Sequence, residues 1–473
     1  MKRLLLAVFA AAVTAAWAVP SSAADFTFSG QYRLRGEYRN NSDFNDGETA
    51  ETTNDHSDSW GQRVRLTANA KATDDTSVKI TLQDTRDWGT TTKVPVVDGS
   101  TTATGGPGLT DTGNTLDLHE SYVNIAKVLD MPVDLRIGRQ ELAYGDERLI
   151  GSFGWSNNGR SFDAIKGTYT SETFNLDVFT SKIKENTTTN RDQDLWGAYA
   201  TVKSIPNNTL DIYALRLSDH STTNAMVTNN NPQLDATTPV QLLDGYNNLG
   251  AIGAQTLLTY GVRIKGATSG IDYTAELPFQ KGTIKTASGD VDLKGSALAV
   301  KAGYTIPNTP KVRVGVEYDR ASGDKDATDN KNETFSNLFP TNHDKLGYMD
   351  QQAWRNVKAW NLNASAEPSD KLKLLASYWN FKLAEKTDGW YGAGNWMNTP
   401  TGTLRLANPL EPNDSIGTEI DLVATYKYNS AVTAELGISR FSAGSYIKDR
   451  VDATTNGQSA NQDWAYLQII TNF

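Results

Sequence analysis

Residues 26–39 read FTFSGQYRLRGEYR, and this stretch decides the fold because its side chains alternate between two chemistries. A period of two residues predicts a β-strand, with one face directed to each side of a sheet. One face is apolar and the other is strongly charged, which is typical of a strand between two different environments. The apolar parity holds Phe26, Phe28, Tyr32, Leu34 and Tyr38, and the polar parity holds Thr27, Ser29, Gln31, Arg33, Arg35, Glu37 and Arg39.

The same alternation recurs along the whole chain. Residues 60–71 repeat it, with Val64 and Leu66 on one parity and Arg63 and Arg65 on the other. Candidate strands of about ten residues or more suit tilted membrane-spanning β-strands. With the first two, the pattern predicts eighteen strands; the others lie at 75–86, 115–127, 132–141, 160–170, 172–183, 192–204, 207–218, 256–267, 270–281, 293–307, 310–321, 355–367, 370–384, 417–429, 430–442 and 462–473.

Loop lengths alternate as regularly as the side chains. Short turns rich in Gly, Pro, Asn, Asp and Ser, such as Thr73-Asp74 and Asn429-Ser430, follow every second strand. The intervening connections are longer, at 40–59, 87–114, 142–159, 184–191, 219–255, 282–292, 322–354, 385–416 and 443–461. This sorting predicts a single, all-β, 18-stranded antiparallel transmembrane β-barrel with long extracellular loops and short periplasmic turns. A β-sandwich gives no such sorting, and no propeller repeat is present.

The first residues predict an exported protein. Lys2 and Arg3 precede an apolar stretch at 4–19, and small residues at 21–24 form a cleavage site. We therefore expect a cleaved signal peptide at 1–24, an outer-membrane barrel at 25–473, and the outer membrane of a Gram-negative bacterium as the location. Removal of Lys2 and Arg3 takes the net charge from −10 to −12.

Composition excludes several classes of function. The chain has no Cys and four His, which excludes thiolate metal sites and predicts no cofactor. Its negative charge argues against a nucleic-acid partner. His119 and Ser121 lie two residues apart and are predicted to share a face, but Gly-x-Ser-x-Gly, His-Glu-x-x-His and P-loop motifs are all lacking. We therefore predict that the protein is not an enzyme.

The polar parity predicts a water-filled lumen rich in cations. Guanidinium groups bind carboxylates in bidentate geometry, which suits anionic small solutes or acidic saccharides as the transported partner. Arg136 and Arg139 fall on opposite parities, so one of them is expected at a bulge or facing outward. A ladder of salt bridges in the wall is the alternative role. The predicted constriction holds Arg33, Arg35, Arg65, Arg136, Arg139 and Arg160, oriented by Glu120 and Asp163, with Arg263 and Arg313 also lining the path.

Two connections are candidates for folding into the lumen. Residues 142–159 hold four Gly with Phe153 and Trp155, and either narrow the lumen or pack outside it. Residues 87–114 offer a second such segment. The acidic segments 43–58 and 322–330 lack the spacing of a calcium loop and are interpreted as solvated.

The final strand alternates up to Phe473. An amphipathic strand ending in Phe resembles the signal read by the outer-membrane barrel assembly machinery, which we expect as a partner together with outer-membrane lipid and lipopolysaccharide.

Residues 135–169, LRIGRQELAYGDERLIGSFGWSNNGRSFDAIKGTY, resemble the hallmark of the alginate export family of outer-membrane porins. The matching elements are Gly138-Arg139-Gln140, Arg148-Leu149, Trp155-Ser156-Asn157 and Arg160-Ser161-Phe162-Asp163, and segments around Phe339, Trp354 and Gly417 fit as well. The resemblance implies an eighteen-stranded barrel. Three functions stay open at this point: a porin for anions, a dedicated exporter of an alginate-like exopolysaccharide, and a structural barrel enclosing a periplasmic partner.

Overall fold

The computed structural model describes residues 25–41, 44, 56–88, 115–185, 192–220, 252–286, 289–307, 310–326, 329–392, 413–454 and 461–473. The predicted signal peptide at 1–24 lies outside the described residues, as does nearly all of 87–114. The regular secondary structure within these ranges is almost entirely β-strand, joined by connections of varied length.

Eighteen long strands follow one another along the chain, as the alternation predicts. They are β1 Asp25–Asn40, β2 His56–Lys71, β3 Thr76–Asp87, β4 Thr115–Ile125, β5 Val133–Gln140, β6 Phe162–Thr170, β7 Phe174–Lys184, β8 Gln193–Val202, β9 Asn208–Asp219, β10 Ile252–Thr268, β11 Ile271–Thr286, β12 Gly289–Ile306, β13 Lys311–Ala321, β14 Val357–Ser369, β15 Leu372–Leu383, β16 Ser415–Lys427, β17 Val432–Ala443 and β18 Gln462–Asn472.

The sheet closes on itself. Each strand pairs antiparallel with its neighbours in sequence, and β1 pairs with β18 from Gln31 opposite Asn472 to Asn40 opposite Asp463. A two-residue segment, Lys331–Asn332, adds a parallel pairing to β12. Closure leaves no open sheet edge, which a membrane-spanning sheet requires because hydrocarbon offers no hydrogen-bond partner.

The two faces of the wall differ as predicted. Large apolar side chains are exposed on the outer face, where they would meet lipid, and Trp60 stacks on Trp88 there at 6.1 Å between ring centroids. Such aromatic groups suit the membrane–water interface. Representative outward residues are Phe28, Leu66, Ile137, Ile165, Val178, Ile212, Val262, Val316, Leu362, Leu422, Ile438 and Leu467.

The apolar core lies inside the barrel rather than between two sheets. It forms where long connections fold onto the inner wall, and it includes Phe162, Phe335, Phe339 and Trp354. This core explains one difference from the sequence prediction. The expected loop at 282–292 is mostly strand, because Ile284, Val291 and Leu293 turn inward and join the core instead of facing water.

An α-helix, α1 Ser445–Thr454, connects β17 to β18, and a short 3-10 helix, Val128–Asp130, connects β4 to β5. Tyr446 and Ile447 anchor it in the interior. Among the described residues, no helix is long and apolar enough to cross a membrane.

Candidate functional site

Two long connections fold into the lumen and meet there. Inner loop 1 is residues 141–161, between β5 and β6, and inner loop 2 is residues 322–356, between β13 and β14. Ile150 and Phe339 form a parallel bridge, with Gly151 N donating to Phe339 O at 2.9 Å and Phe339 N donating to Leu149 O at 2.9 Å. The two inner loops therefore act as one joined body across the lumen, which matches the inward alternative for residues 142–159.

Arg160 locks the junction between the inner loops. Its guanidinium donates to the carbonyl oxygens of Gly151, Phe339 and Pro340 at 3.1, 2.6 and 2.8 Å. Burial lowers the pKa of Arg160 to about 10, so the group remains charged at neutral pH. Arg160 is thus a structural clamp in this arrangement, and its charge is directed into the loops.

The predicted arginines of β1 hold inner loop 1 against the wall. Arg33, only 2% exposed, donates to the carbonyl oxygens of Gly154 and Ser156, each at 2.9 Å. Arg35 donates to Trp155 O at 2.6 Å and lies 3.9 Å from the centroid of the Trp155 ring. Together with Arg39, Arg63, Arg65 and Lys79, these residues form a patch on β1–β3 that we call the basic wall.

Gly61 shows how closely the tip of inner loop 1 approaches the basic wall. A Cβ atom at this position would lie 2.2 Å from Nδ2 of Asn157, which is far inside van der Waals contact. A side chain at position 61 would displace the Asn157 amide, so glycine lets the loop tip lie directly against β2.

A buried cluster closes the base of inner loop 1. His119 Nε2 lies 2.7 Å from Glu141 Oε1, and its Nδ1 lies 3.3 Å from Ser161 Oγ, so one imidazole bridges the two ends of the loop. Arg65 donates to Glu141 at 3.2 Å. Burial opposes ionisation of Glu141, but the hydrogen bond from His119 and the charge of Arg65 lower its pKa.

The prediction that His119 and Ser121 share a face is wrong. The register between β3 and β4 shifts between Thr81 and Leu82, where Thr81 pairs with Glu120 and Leu82 pairs with Leu118. This β-bulge leaves His119 without a ladder partner and buries it beside Glu120. The apolar positions do change parity across the bulge, from Leu116 and Leu118 to Val123 and Ile125. This change of parity does not indicate which loop residue His119 meets, so the contact with Ser161 could not be predicted.

The part of the wall formed by β11–β17 is acidic. Six inward carboxylates lie on β11–β17, and we call them the acidic arc: Glu276, Glu317, Asp319, Glu419, Asp421 and Glu435. Arg148 of inner loop 1 reaches this arc, where it pairs with Glu317 and lies 2.9 Å from Asp319. These partners hold the pKa of Arg148 above its usual range despite burial.

Inner loop 2 contacts both the acidic arc and the basic wall. The backbone N–H groups of Tyr348 and Met349 donate to Glu419 Oε1 at 2.6 and 2.9 Å. The carbonyl of Met349 accepts from Arg39 at 3.3 Å. The constriction is therefore held between the basic wall and the acidic arc.

Three further predicted lumen residues form ion pairs along the wall. Arg263 donates to Asp211 at 2.8 Å and also pairs with Asp146 of inner loop 1. Glu120 pairs with Lys79 at 2.5 Å. Arg313, near the periplasmic end, makes a bidentate pair with Asp272 at 2.7 and 2.8 Å. These three residues therefore fit the alternative role, in which the charged residues form salt bridges within the wall.

Two predicted constriction residues face outward. Arg139 and Asp163 share the parity of the exposed residues Ile137 and Ile165, and they pair with each other at 3.3 Å on the outer face. The lumen interpretation is wrong for both, because their strand parity directs them to the outer face. For Arg139 the outward position is one of the two alternatives that the opposite parities of Arg136 and Arg139 predicted. Arg136, on the inward parity, lies 4.4 Å from the Tyr122 ring centroid.

Phe473 packs where the barrel closes. Its backbone exchanges hydrogen bonds with Gly30, and its ring lies over that glycine on the outer face. A Cβ atom on Gly30 would lie 2.4 Å from the ring, so the glycine makes space for Phe473.

Sequence reasoning missed two charged residues of inner loop 1 that form ion pairs with the barrel wall. Asp146 pairs with Arg263 and with Lys301 at 2.5 Å, and Arg148 pairs with β13. The sequence does show charged residues within this Gly-rich connection, but that composition also favours a solvent-exposed loop. Their partners lie more than a hundred positions away, so local patterns could not identify them.

Comparisons with known proteins agree with this architecture. The family model described as alginate export matches residues 25–461. No curated protein matches the chain. Similar solved structures include three Pseudomonas aeruginosa proteins, each 10% identical to this chain and each aligned with 95% of it. OpdO has a TM-score of 0.55 and is aligned over 97% of its own chain. OccK9, also called OpdG, has a TM-score of 0.54, and OccK2, also called OpdF and solved in complex with glucuronate, has a TM-score of 0.52; each is aligned over 98% of its own chain.

At this identity the structural likeness concerns the fold, and the fold is that of an outer-membrane barrel. The family model covers most of the chain, including both inner loops. The chain therefore belongs to the alginate export family, and it is an outer-membrane channel or export barrel.

Proposed function

We propose that the barrel is a water-filled porin that passes anionic small solutes or acidic oligosaccharides. The observation that supports this proposal is the basic wall, where six cationic side chains on three adjacent strands face the constriction. Concentrated positive charge in a narrow, water-filled passage raises the local anion concentration and lowers the barrier to anion entry.

The side chains of the basic wall also suit carboxylates. Arg65 and Lys79 are partly accessible, with side chains 18% and 29% exposed, and they pair with Glu141 and Glu120 of the barrel interior. A passing carboxylate would exchange with these carboxylates for the same two cations. The acidic arc lies farther around the barrel, so anions are expected to follow the basic wall.

The first experiment is planar-bilayer conductance of the refolded protein, residues 25–473, under a KCl gradient. We expect open steps with anion preference, and a block by added glucuronate oligomers. Open steps without block would leave a general porin. Cation preference would contradict the proposal.

Charge-removing variants then test the basic wall itself. Arg65→Gln with Lys79→Gln should shift the reversal potential toward cation selectivity. Arg86→Gln is a matched control, because Arg86 lies on β3 like Lys79 but belongs to the outward parity and pairs with Asp84. An equal shift in the control, or none in the double variant, would remove the basic wall from the permeation path.

A gated exporter is the second candidate, favoured by the joined inner loops. Their bridge at Ile150 and Phe339 spans the lumen and is held on both sides. An exporter of this kind is expected to stay closed without periplasmic partners. Electrical silence from well-folded protein would support this candidate over the porin.

A further inference from the structure

A cavity lies beneath inner loop 1, on the periplasmic side of the constriction. It measures about 380 Å³, within the range of small-molecule sites. Asn175, Thr201 and Thr209 lie within two residues of the periplasmic ends of their strands, and they line the open side. Residues 143–145 of inner loop 1 form its roof. A solute entering from the periplasm reaches this cavity before the constriction.

An aromatic stack makes one side of the cavity rigid. Tyr144 of the roof stacks on Phe179 and Tyr199, with ring centroids 5.6 and 4.6 Å apart. Tyr144 OH donates to Asp177 at 2.9 Å. The hydroxyl of Tyr199 is buried in the cavity wall beside the carboxylate of Asp211, which acts on it as a hydrogen-bond acceptor. The stack therefore presents a fixed aromatic surface to the cavity.

The charges of the cavity are paired except at one position. Asp177 pairs with Lys166 at 3.1 Å, and Asp211 pairs with Arg263 at 2.8 Å. Lys265, on the inward parity with Arg263, forms no hydrogen bond or ion pair with any residue that the structure describes. The nearby carboxylate of Asp272 acts on it through its charge but pairs with Arg313. Lys265 therefore presents an ammonium group to the cavity.

We infer that this cavity is a periplasm-facing subsite for one acidic sugar unit of a saccharide. Lys265 would bind the carboxylate, while Thr201, Thr209, Asn175 and the Tyr199 hydroxyl would bind sugar hydroxyls. Mixed hydroxyl, amide and phenol groups around one cation match a polyol that bears one carboxylate. This inference rests on the proposed function for its substrate class and adds a location and a direction of access.

Binding is tested on detergent-solubilised protein, residues 25–473, by titration calorimetry with a glucuronate trimer. We expect Lys265→Gln to weaken binding about tenfold, the effect of losing one charge-assisted contact. Thr209→Val should weaken binding less, by removing one hydroxyl from the cavity. Maltotriose, the neutral control ligand, should bind more weakly than the glucuronate trimer.

Lys373→Gln is the matched control protein. Lys373 is the second residue of β15, so it lies at the periplasmic end like Lys265 but five strands away from β10. Equal weakening by both lysine variants would mean diffuse attraction and would overturn the subsite. Equal binding of maltotriose, or no binding of the glucuronate trimer to the wild-type protein, would also overturn it.

Conductance separates this inference from the proposed function. We expect the glucuronate trimer to block current at lower concentration from the periplasmic side, and Lys265→Gln to abolish this asymmetry. If the channel is silent but calorimetry shows binding that depends on Lys265, the porin proposal fails and the subsite stands. If the channel conducts but does not bind the trimer, the subsite alone fails.

Discussion

Arg148 shows how one side chain compensates charge across the lumen. It is 3% exposed and lies between Glu317 and Asp319, both on β13. The guanidinium carbon of Arg148 also lies 5.1 Å from the centroid of the Trp354 ring, so a cation–π contact accompanies the ion pairs. Without Arg148, two neighbouring carboxylates would be buried beneath inner loop 1 with no cation between them.

We predict that Arg148→Met releases inner loop 1 while the barrel stays closed. Removing one partner of a buried ion pair destabilises the folded state by about 3–5 kcal/mol. This exceeds the stabilisation that most single contacts of a loop provide. Limited proteolysis within 141–161 and thermal unfolding would measure the change. Lys285→Met is the control, because the exposed Lys285–Asp290 pair should contribute little. Unchanged protection of the loop in Arg148→Met would contradict the prediction.

Phe473 and Phe28 allow a matched comparison on the lipid face. Each ring is 65% exposed, but only Phe473 packs over Gly30 where β1 meets β18. We predict that Phe473→Ser lowers the amount of barrel in the outer membrane severalfold, and that Phe28→Ser does so much less. Immunoblots of isolated outer membranes would show this. Equal losses would indicate that exposed aromatic area matters and that the position of Phe473 does not.

At the scale of elements, the start of inner loop 2 meets the connection after β15 through two carboxyl groups. Asp388 accepts from Asp324 N at 2.9 Å, Thr334 Oγ1 at 2.6 Å and Tyr391 OH at 2.8 Å. Burial, followed by the charge of Asp388, raises the pKa of Asp324 to about 6. The proton therefore resides on Asp324 in mildly acidic solution.

This arrangement predicts that the contact between these connections weakens as pH rises. A carboxyl whose folded pKa is raised stabilises the fold below its unfolded pKa near 3.8, and this contribution is lost as pH rises through about 6. Amide hydrogen exchange at 322–326, corrected for intrinsic rates, should be slower at pH 5 than at pH 7.5. Asp324→Asn should remove the difference. A difference that persists in this variant would assign the effect to another group.

The sequence predicted all eighteen strands because the lipid face enforces alternation on each of them. It failed where a single residue breaks the period, as at the bulge beside His119, and where inward residues are apolar, as at Ile284 and Val291. Inward residues are polar at some positions and apolar at others, because different connections from distant parts of the chain pack against them. Contacts such as Arg33 with Gly154 depend on how a long connection folds, which alternation does not encode.

At the scale of the whole molecule, we expect the stability of the barrel wall to depend little on the inner loops. Backbone pairing of the wall is complete without them, since every strand pairs with both neighbours. We predict that replacing residues 144–158 by a short Gly-Ser linker leaves a folded barrel and raises single-channel conductance severalfold. Wall carboxylates such as Glu317 would then be hydrated instead of buried. Circular dichroism would check folding, and conductance equal to wild type would show that inner loop 1 does not narrow the path.

The basic wall and the acidic arc also have a consequence for molecules without net charge. Part of their charge is arranged across the passage instead of along it, with Arg33 and Arg65 on β1 and β2, and Glu317 and Asp319 on β13, six strands from β1 around the ring. A zwitterion in such a transverse field lowers its energy by turning its dipole to match, and it keeps that orientation during transit. A solute held in one orientation presents its substituents to fixed neighbours, so mirror-image isomers would cross at different speeds.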